Sequence, residues 1–305
     1  MNNRFYELQF EIENACLLDC IHCSSAEMRR NGSRSYSDED ILRFISLFKD
    51  KVHIYFTGGE PLLYKHLLNL CTQITLSNPN VELGLYTTGN CSTKKAISED
   101  LATSMYEAGI KDCYFSIYSN KEEEHDSFTA LEGSLANTIE SIIALRNTNI
   151  LPKAHLVLNK FNLGKIREVI TFCQEIGIAE VRILKLTPSG NAKEHWDQIG
   201  VPLNDQNELI KQLIQKRLDY TVKLTFSGYP DLHPCRPWEN ADGCQAGINL
   251  LYIDADGYVF PCACTKRSPN LFCIGHISQI NKIQEYMESK ERLVKNECCL
   301  NELNH

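Results

Sequence analysis

The stretch FYELQFEIENACLLDCIHC, residues 5–23, runs an alternating strand pattern straight into a loop that holds Cys16, Cys20 and Cys23 within eight residues. A strand ending in reactive side chains is how a barrel of βα units presents its chemistry. Three thiolates can hold three irons of a cubane cluster, which normally takes four Cys ligands, so one iron is left open to another molecule. A structural zinc loop is the competing reading, with His22 as the nearby fourth ligand.

The 305-residue chain has fourteen cysteines. A chain of this length buries enough core without disulfides, and a reducing compartment would not keep them, so the thiols point to metal. They gather in two regions: Cys16, Cys20 and Cys23, then Cys235, Cys244, Cys262, Cys264, Cys273, Cys298 and Cys299. Between them, Cys71 and Cys173 fall on helical segments and Cys113 on a strand, where they read as small core hydrophobes. Cys91 lies in the loop beyond the third strand. The formal charge of −8 has the wrong sign for a sequence-blind nucleic-acid binder. The N-terminus has neither a basic nor an apolar targeting region, and no apolar run reaches the roughly 18 residues of a membrane span. The sequence reads as cytosolic, without nucleic-acid or membrane partners.

Outward from the cysteine loop, short β-branched or aromatic runs alternate with segments of helical spacing, the pattern of a parallel sheet. Strands are expected at 5–12, 52–56, 81–86, 112–118, 152–158 and 180–186. Helices are expected after Ser37, Pro61 and Ser98, up to Arg146, at 163–175 and at 206–218. Six βα units without reversal predict an α/β fold, a partial (β/α)6 TIM-like barrel over residues 1–219. From 220 to 305 the pattern changes to a second module: a strand-like VKLTFSG, a Cys-containing loop, a β-hairpin turning at Asp254-Ala255-Asp256-Gly257, and a helix over 283–294.

After the second strand stands Thr57-Gly58-Gly59-Glu60-Pro61, in which the glycines permit close backbone approach and Glu60 supplies a carboxylate. This motif, following Cys-x3-Cys-x2-Cys, resembles the radical S-adenosylmethionine enzymes, and the resemblance spans about residues 5–300. It implies a 4Fe–4S cluster on Cys16, Cys20 and Cys23, with S-adenosylmethionine held by Gly58, Gly59, Glu60 and Pro61. Thr87-Thr88-Gly89-Asn90 resembles the family's TNG turn with Gly and Asn exchanged, which brings in Thr88. CYFSIYS resembles the SxDG strand, so Ser116 would contact the ribose; the family's Asp is Tyr118 here. In RILKLTPSGNA, Gly190 matches a Gly beside the cofactor pocket, and Arg182 either faces the cofactor carboxylate or is a solvated edge charge. His125 and Asp126 read as a structural loop contact.

Cys244, twelve residues, Gly257, four residues and Cys262 resemble the auxiliary iron-sulfur module called twitch, or SPASM in its longer form. Cys235 matches an extra upstream ligand, and Cys298 and Cys299 follow the last helix. The long form's run of four spaced cysteines is absent, which implies one auxiliary cluster, completed from among Cys264, Cys273, Cys298 and Cys299; a zinc ribbon is the alternative. A spare thiol could serve as hydrogen-atom donor. The implied reaction is reductive cleavage of S-adenosylmethionine and abstraction of a substrate hydrogen, fed by a flavodoxin or ferredoxin. The substrate is expected to be a ribosomally made precursor peptide, which would be crosslinked, given a thioether or epimerised. The alternative is a small molecule such as an aminocyclitol or cofactor precursor, and a third reading is an electron carrier without catalysis. Asp19, Glu60 and Asp254 are candidate bases near the mouth.

Overall fold

The computed structural model describes residues 5–26, 34–229, 232 and 244–289. Strands β1 (Phe5–Glu13), β2 (Lys51–Gly58) and β3 (Val81–Thr87) are followed by a small separate hairpin, β4 (Asn90–Ser92) and β5 (Lys95–Ala96). Then come β6 (Ile110–Ser116), β7 (Leu151–Leu158), β8 (Glu180–Lys185) and β9 (Lys223–Ser227). Apart from the small hairpin these strands lie side by side, all parallel.

Side chains alternate across a strand, and here the two faces meet different surroundings. Leu8, Phe10, Ile54, Phe56, Leu83, Leu85, Phe115, Leu156 and Ile183 pack into one core with the helices. The other face is polar and paired within itself: Lys153 to Asp112 at 2.6 Å, Tyr114 to Glu180 at 2.7 Å, and Tyr86 to Glu7 at 3.0 Å. Parallel strands covered on both faces by helices read as unbroken apolar runs. The alternation in this sequence comes from a barrel whose interior is polar.

Helices α1 (Asp38–Ile45), α2 (Leu67–Ser77), α3 (Glu99–Glu107), α4 (Glu122–Thr129), α5 (Ser134–Arg146), α6 (Ile166–Glu175) and α7 (Leu203–Gln215) fill the connections, with shorter turns between. Ser37 caps α1 in a reciprocal box with Asp40, and Ser98 caps α3 through the Leu101 amide, as the sequence predicts. Asp126 sits inside α4 and accepts the backbone amides of Gly133 and Leu135, fixing the start of α5. Cys71, Cys113 and Cys173 are fully buried, and burial pushes the Cys71 and Cys173 thiols up to about 12.

VKLTFSG, expected in the second module, instead supplies β9, a seventh parallel strand beside β8. Leu224 and Phe226 join the helix-facing core, while Thr225 donates to Glu180 on the inner face at 2.9 Å. The expected hairpin, β10 (Leu250–Ile253) and β11 (Tyr258–Phe260), attaches at the opposite edge: β10 runs parallel to β1, with Gln9 opposite Tyr252. With β12 (Gly275–His276) the sheet reads β12-β11-β10-β1-β2-β3-β6-β7-β8-β9. Its end strands do not pair with each other, so the barrel is partial. The last helix, α8 (Ile280–Glu288), begins three residues earlier than expected. Cys235, Cys298 and Cys299 lie outside the described residues.

Candidate functional site

The cysteine loop is held by backbone bonds from three sides. The Asp19 and Ile21 amides donate to the carbonyls of Thr129 and Phe128, using groups that the end of α4 would otherwise leave open. Asn191 donates its backbone amide to the Cys23 carbonyl at 3.0 Å and its side chain to the Cys20 carbonyl at 3.1 Å. Gly190 has φ +55°, and a Cβ there would stand 2.3 Å from the Cys23 carbonyl oxygen, so only glycine lets the two chains meet. The role expected for Gly190 beside the cofactor pocket therefore includes a seat for the cysteine loop. His22, inside that loop, packs against Phe128 and Tyr118, and the Tyr118 hydroxyl lies 3.3 Å from its Nε2. Tyr118, at the position where the family pattern has Asp, thus supports the loop through a ring.

Cys16, Cys20 and Cys23 line one cavity of about 410 Å³ at the C-terminal ends of the strands. Burial pushes the Tyr118 hydroxyl well above its ordinary range, and Cys20, Cys23 and Cys16 add to that displacement. Among the described residues no three His, Cys, Asp or Glu side chains converge on a single ion. A cubane spreads its cysteines over different irons, and three thiols from one loop match that donor set.

The Gly58-Gly59 turn docks on the same loop. A Cβ on Gly58 would meet the Glu13 carbonyl at 2.3 Å and one on Gly59 the Ala15 carbonyl at 2.2 Å; the Gly59 and Glu60 amides donate to those two oxygens. The close approach expected of these glycines is thus to the chain entering the cysteine loop, and both also border the cavity. Glu60 is fully buried, with both oxygens engaged: Thr87 Oγ1 at 2.6 Å and the Leu62 amide at 3.1 Å on one, the Thr88 amide at 2.7 Å and Thr88 Oγ1 at 2.6 Å on the other. Burial pushes its carboxyl up while these donors pull it down. The carboxylate expected to contact the cofactor holds the β3 turn. Pro61 opens the short 3-10 turn beyond it and is buried, while Thr88 and Ser116 reach the cavity.

Arg182 is 5% exposed, which removes the reading as a solvated edge charge. Its guanidinium lies over the Tyr114 ring at 4.5 Å, 3.5 Å from the Tyr86 hydroxyl and 3.9 Å from both Glu7 and Glu180. Beside it His155 stacks on Tyr114 at 4.3 Å, with its Nε2 buried and without a hydrogen-bond partner. Burial, Arg182 and Lys153 push its pKa well below the usual histidine range, so it is a neutral imidazole on the cavity floor. Sequence reasoning missed His155; its signal was a polar residue at alternate spacing in LPKAHLVL.

Cys244, Cys262 and Cys264 line the same cavity as the first three. Cys273 does not, and its sulfur points to the Gly275 carbonyl at 3.8 Å. Asp254 is engaged in the hairpin turn, accepting from Asp256 and Tyr258, and Asp19 accepts from Asn191.

A parallel partial barrel that gathers cysteines around a cavity at its strand ends defines a class of iron-sulfur enzyme in which the protein positions a reactive cofactor. The chain belongs to the radical SAM superfamily, whose family model matches residues 10–173. In sequence it is 23% identical over 281 residues to an AdoMet-dependent heme synthase of Oleidesulfovibrio alaskensis, covering 84% of this chain and 69% of that one. It is 24% identical over 263 residues to a "Probable GTP 3′,8-cyclase" of Saccharolobus islandicus, covering 84% and 82%. In fold it is similar to Streptococcus suis SuiB bound to precursor peptide SuiA, with TM-score 0.69 and 17% identity, covering 94% of this chain and 65% of SuiB. It is also similar to anSMEcpe with bound AdoMet, with TM-score 0.66 and 16% identity, covering 93% and 80%. Family and fold together imply S-adenosylmethionine and a 4Fe–4S cluster as cofactors. Among the described residues no helix is long and apolar enough to cross a membrane.

Proposed function

We propose that this protein is a radical S-adenosylmethionine enzyme that modifies a ribosomally synthesised peptide in the reducing cytoplasm, with an auxiliary iron-sulfur cluster bordering the same cavity. The observation behind this reading is the shared cavity, lined by Cys16, Cys20 and Cys23 and also by Cys244, Cys262 and Cys264. Cys16, Cys20 and Cys23 would hold a 4Fe–4S cluster, which would supply the electron for reductive cleavage of S-adenosylmethionine. The protein's part is positional: Asn191 and Gly190 seat the cysteine loop, Gly58 and Gly59 close against it, and Thr88 and Ser116 border the cofactor's space. Arg182 and His155 form the floor against which a substrate is oriented. The second set, Cys244 and Cys262 with Cys264 beside them on the cavity lining, would hold an auxiliary cluster, which would supply a place for an electron leaving the substrate. A flavodoxin or ferredoxin would be the reductant. A peptide substrate is favoured by the fold shared with SuiB and anSMEcpe, whose structures hold peptides. The small-molecule reading keeps support from the sequence likeness to the heme synthase and the cyclase.

The test is anaerobic reconstitution and co-expression with short peptides encoded beside the gene. We expect 5′-deoxyadenosine with dithionite, and a peptide lighter by about two mass units after an oxidative crosslink. The Cys16/Cys20/Cys23→Ala variant should keep iron and sulfide on the auxiliary site; zinc there in place of iron would refute the auxiliary cluster. An unchanged peptide would turn the assignment to a small molecule.

A further inference from the structure

Glu11 stands at the C-terminal end of β1 and is 1% exposed. Its carboxylate gathers four donors from distant parts of the chain. Lys266 Nζ at 2.7 Å, Ser25 Oγ at 2.7 Å and the Tyr252 hydroxyl bond to Oε1, and the Ala255 amide bonds to Oε2 at 3.0 Å. Lys266 Nζ also donates to Ser25 Oγ at 2.7 Å and lies over the Tyr252 ring. Ser25 is two residues beyond Cys23, and Lys266 two residues beyond Cys264. Tyr252 and Ala255 belong to the strand and turn between Cys244 and Cys262. One buried ion pair therefore ties both cysteine-bearing segments to the first strand.

We propose that Glu11 and Lys266 are positioning residues that fix the Cys262–Cys264 turn against the Cys16–Cys23 loop and so set the spacing of the two thiol groups around the cavity that both line. Backbone pairing leaves this spacing open: β10 is joined to β1 only up to Phe10 opposite Ile253, and the cysteines lie beyond that ladder. A buried ion pair is weak evidence for stability, because taking both charges out of water offsets their attraction, but it is stringent in geometry. With three donors on Oε1 and one on Oε2, drawn from the Ser25 loop, the Tyr252–Ala255 hairpin and Lys266, a shift of either loop leaves a buried carboxylate short of a donor.

This inference deepens the proposed function, yet its test does not need a working substrate. Hydrogen exchange of the anaerobically purified full chain is compared for wild type, Lys266→Met and the double variant Glu11→Gln/Lys266→Met. The double variant removes both charges and should recover the unfolding midpoint that the single variant loses. We expect amide exchange within 20–26 and within 262–266 to rise together at least tenfold in both variants, with β6 to β8 unchanged. The EPR spectrum of the reduced protein with added S-adenosylmethionine should broaden in the double variant although its stability is restored. If exchange in the double variant returns to wild-type values along with the midpoint, the pair serves stability alone and the proposal fails. It fails equally if only 262–266 responds, because the two loops are then uncoupled. Iron analysis of the same samples reports separately on the clusters, so losing the auxiliary-cluster reading would not by itself remove the strut.

Discussion

The side-chain amide of Asn191 donates to the carbonyl oxygen of Cys20 across 171 residues of sequence, so the loop after the sixth barrel strand holds the loop after the first. With Gly190 pressed on the Cys23 carbonyl, this contact ties the cysteine loop into the tertiary structure.

Gly190→Ala should therefore damage the site from a distance. The added Cβ meets backbone rather than a flexible side chain, and φ is positive, so we expect a loss of about 1–3 kcal/mol in unfolding free energy. Iron per chain after reconstitution should fall with it. Retained iron and an unchanged denaturant midpoint would show that the loop does not depend on this seat.

Glu60→Gln tests the engaged carboxylate. The new amide NH2 would face one of the donors from Thr87, Thr88 or Leu62, leaving a buried donor unmet at a cost of about 1–3 kcal/mol without any ligand present. A variant of unchanged stability with weakened S-adenosylmethionine binding would place the carboxylate's role on the cofactor instead.

His155→Phe should separate fold from function. The ring stack on Tyr114 persists and an unsatisfied buried nitrogen disappears, so stability should stay within about 0.5 kcal/mol or rise. Dithionite-driven 5′-deoxyadenosine formation should persist while product formation drops at least tenfold. Equal loss of both would mean that the imidazole serves the cofactor.

The stability of the protein should fall in mild acid. Burial lowers the His125 pKa from 6.5 to about 4, so below 6.5 the unfolded chain takes up a proton that the folded chain refuses. Stability is full above pH 6.5 and is lost as pH falls toward 4, by about 3 kcal/mol from this residue. Asp254, raised to about 6 chiefly by burial, acts in the opposite sense and offsets part of the loss. His125→Gln should lessen the slope of unfolding midpoint against pH between 4 and 6.5, leaving the share of His53 and His155, whose pKa values burial also lowers; an unaltered slope would assign the effect elsewhere.

The sequence by itself determined the parallel βα order, the cysteine loop at the end of β1, the buried thiols at 71, 113 and 173, and the hairpin turning at Gly257, because each rests on short-range rules of periodicity, capping and turn geometry. Lys266, His155 and Asn191 gave no comparable signal: a charged or polar residue in a strand or turn looks the same whether it meets water or a partner 255 residues away, as Lys266 meets Glu11. The place of β9 was equally hidden, since an alternating strand carries no mark of which sheet edge it will join. Only the tertiary structure decided that the hairpin extends the barrel at β1 and that Glu60 is held by the β3 turn. It also decided that Cys264, and not Cys273, shares the cavity with Cys244 and Cys262. Burial and long-range pairing arise only when distant segments close on one another, and no local pattern in the chain records them.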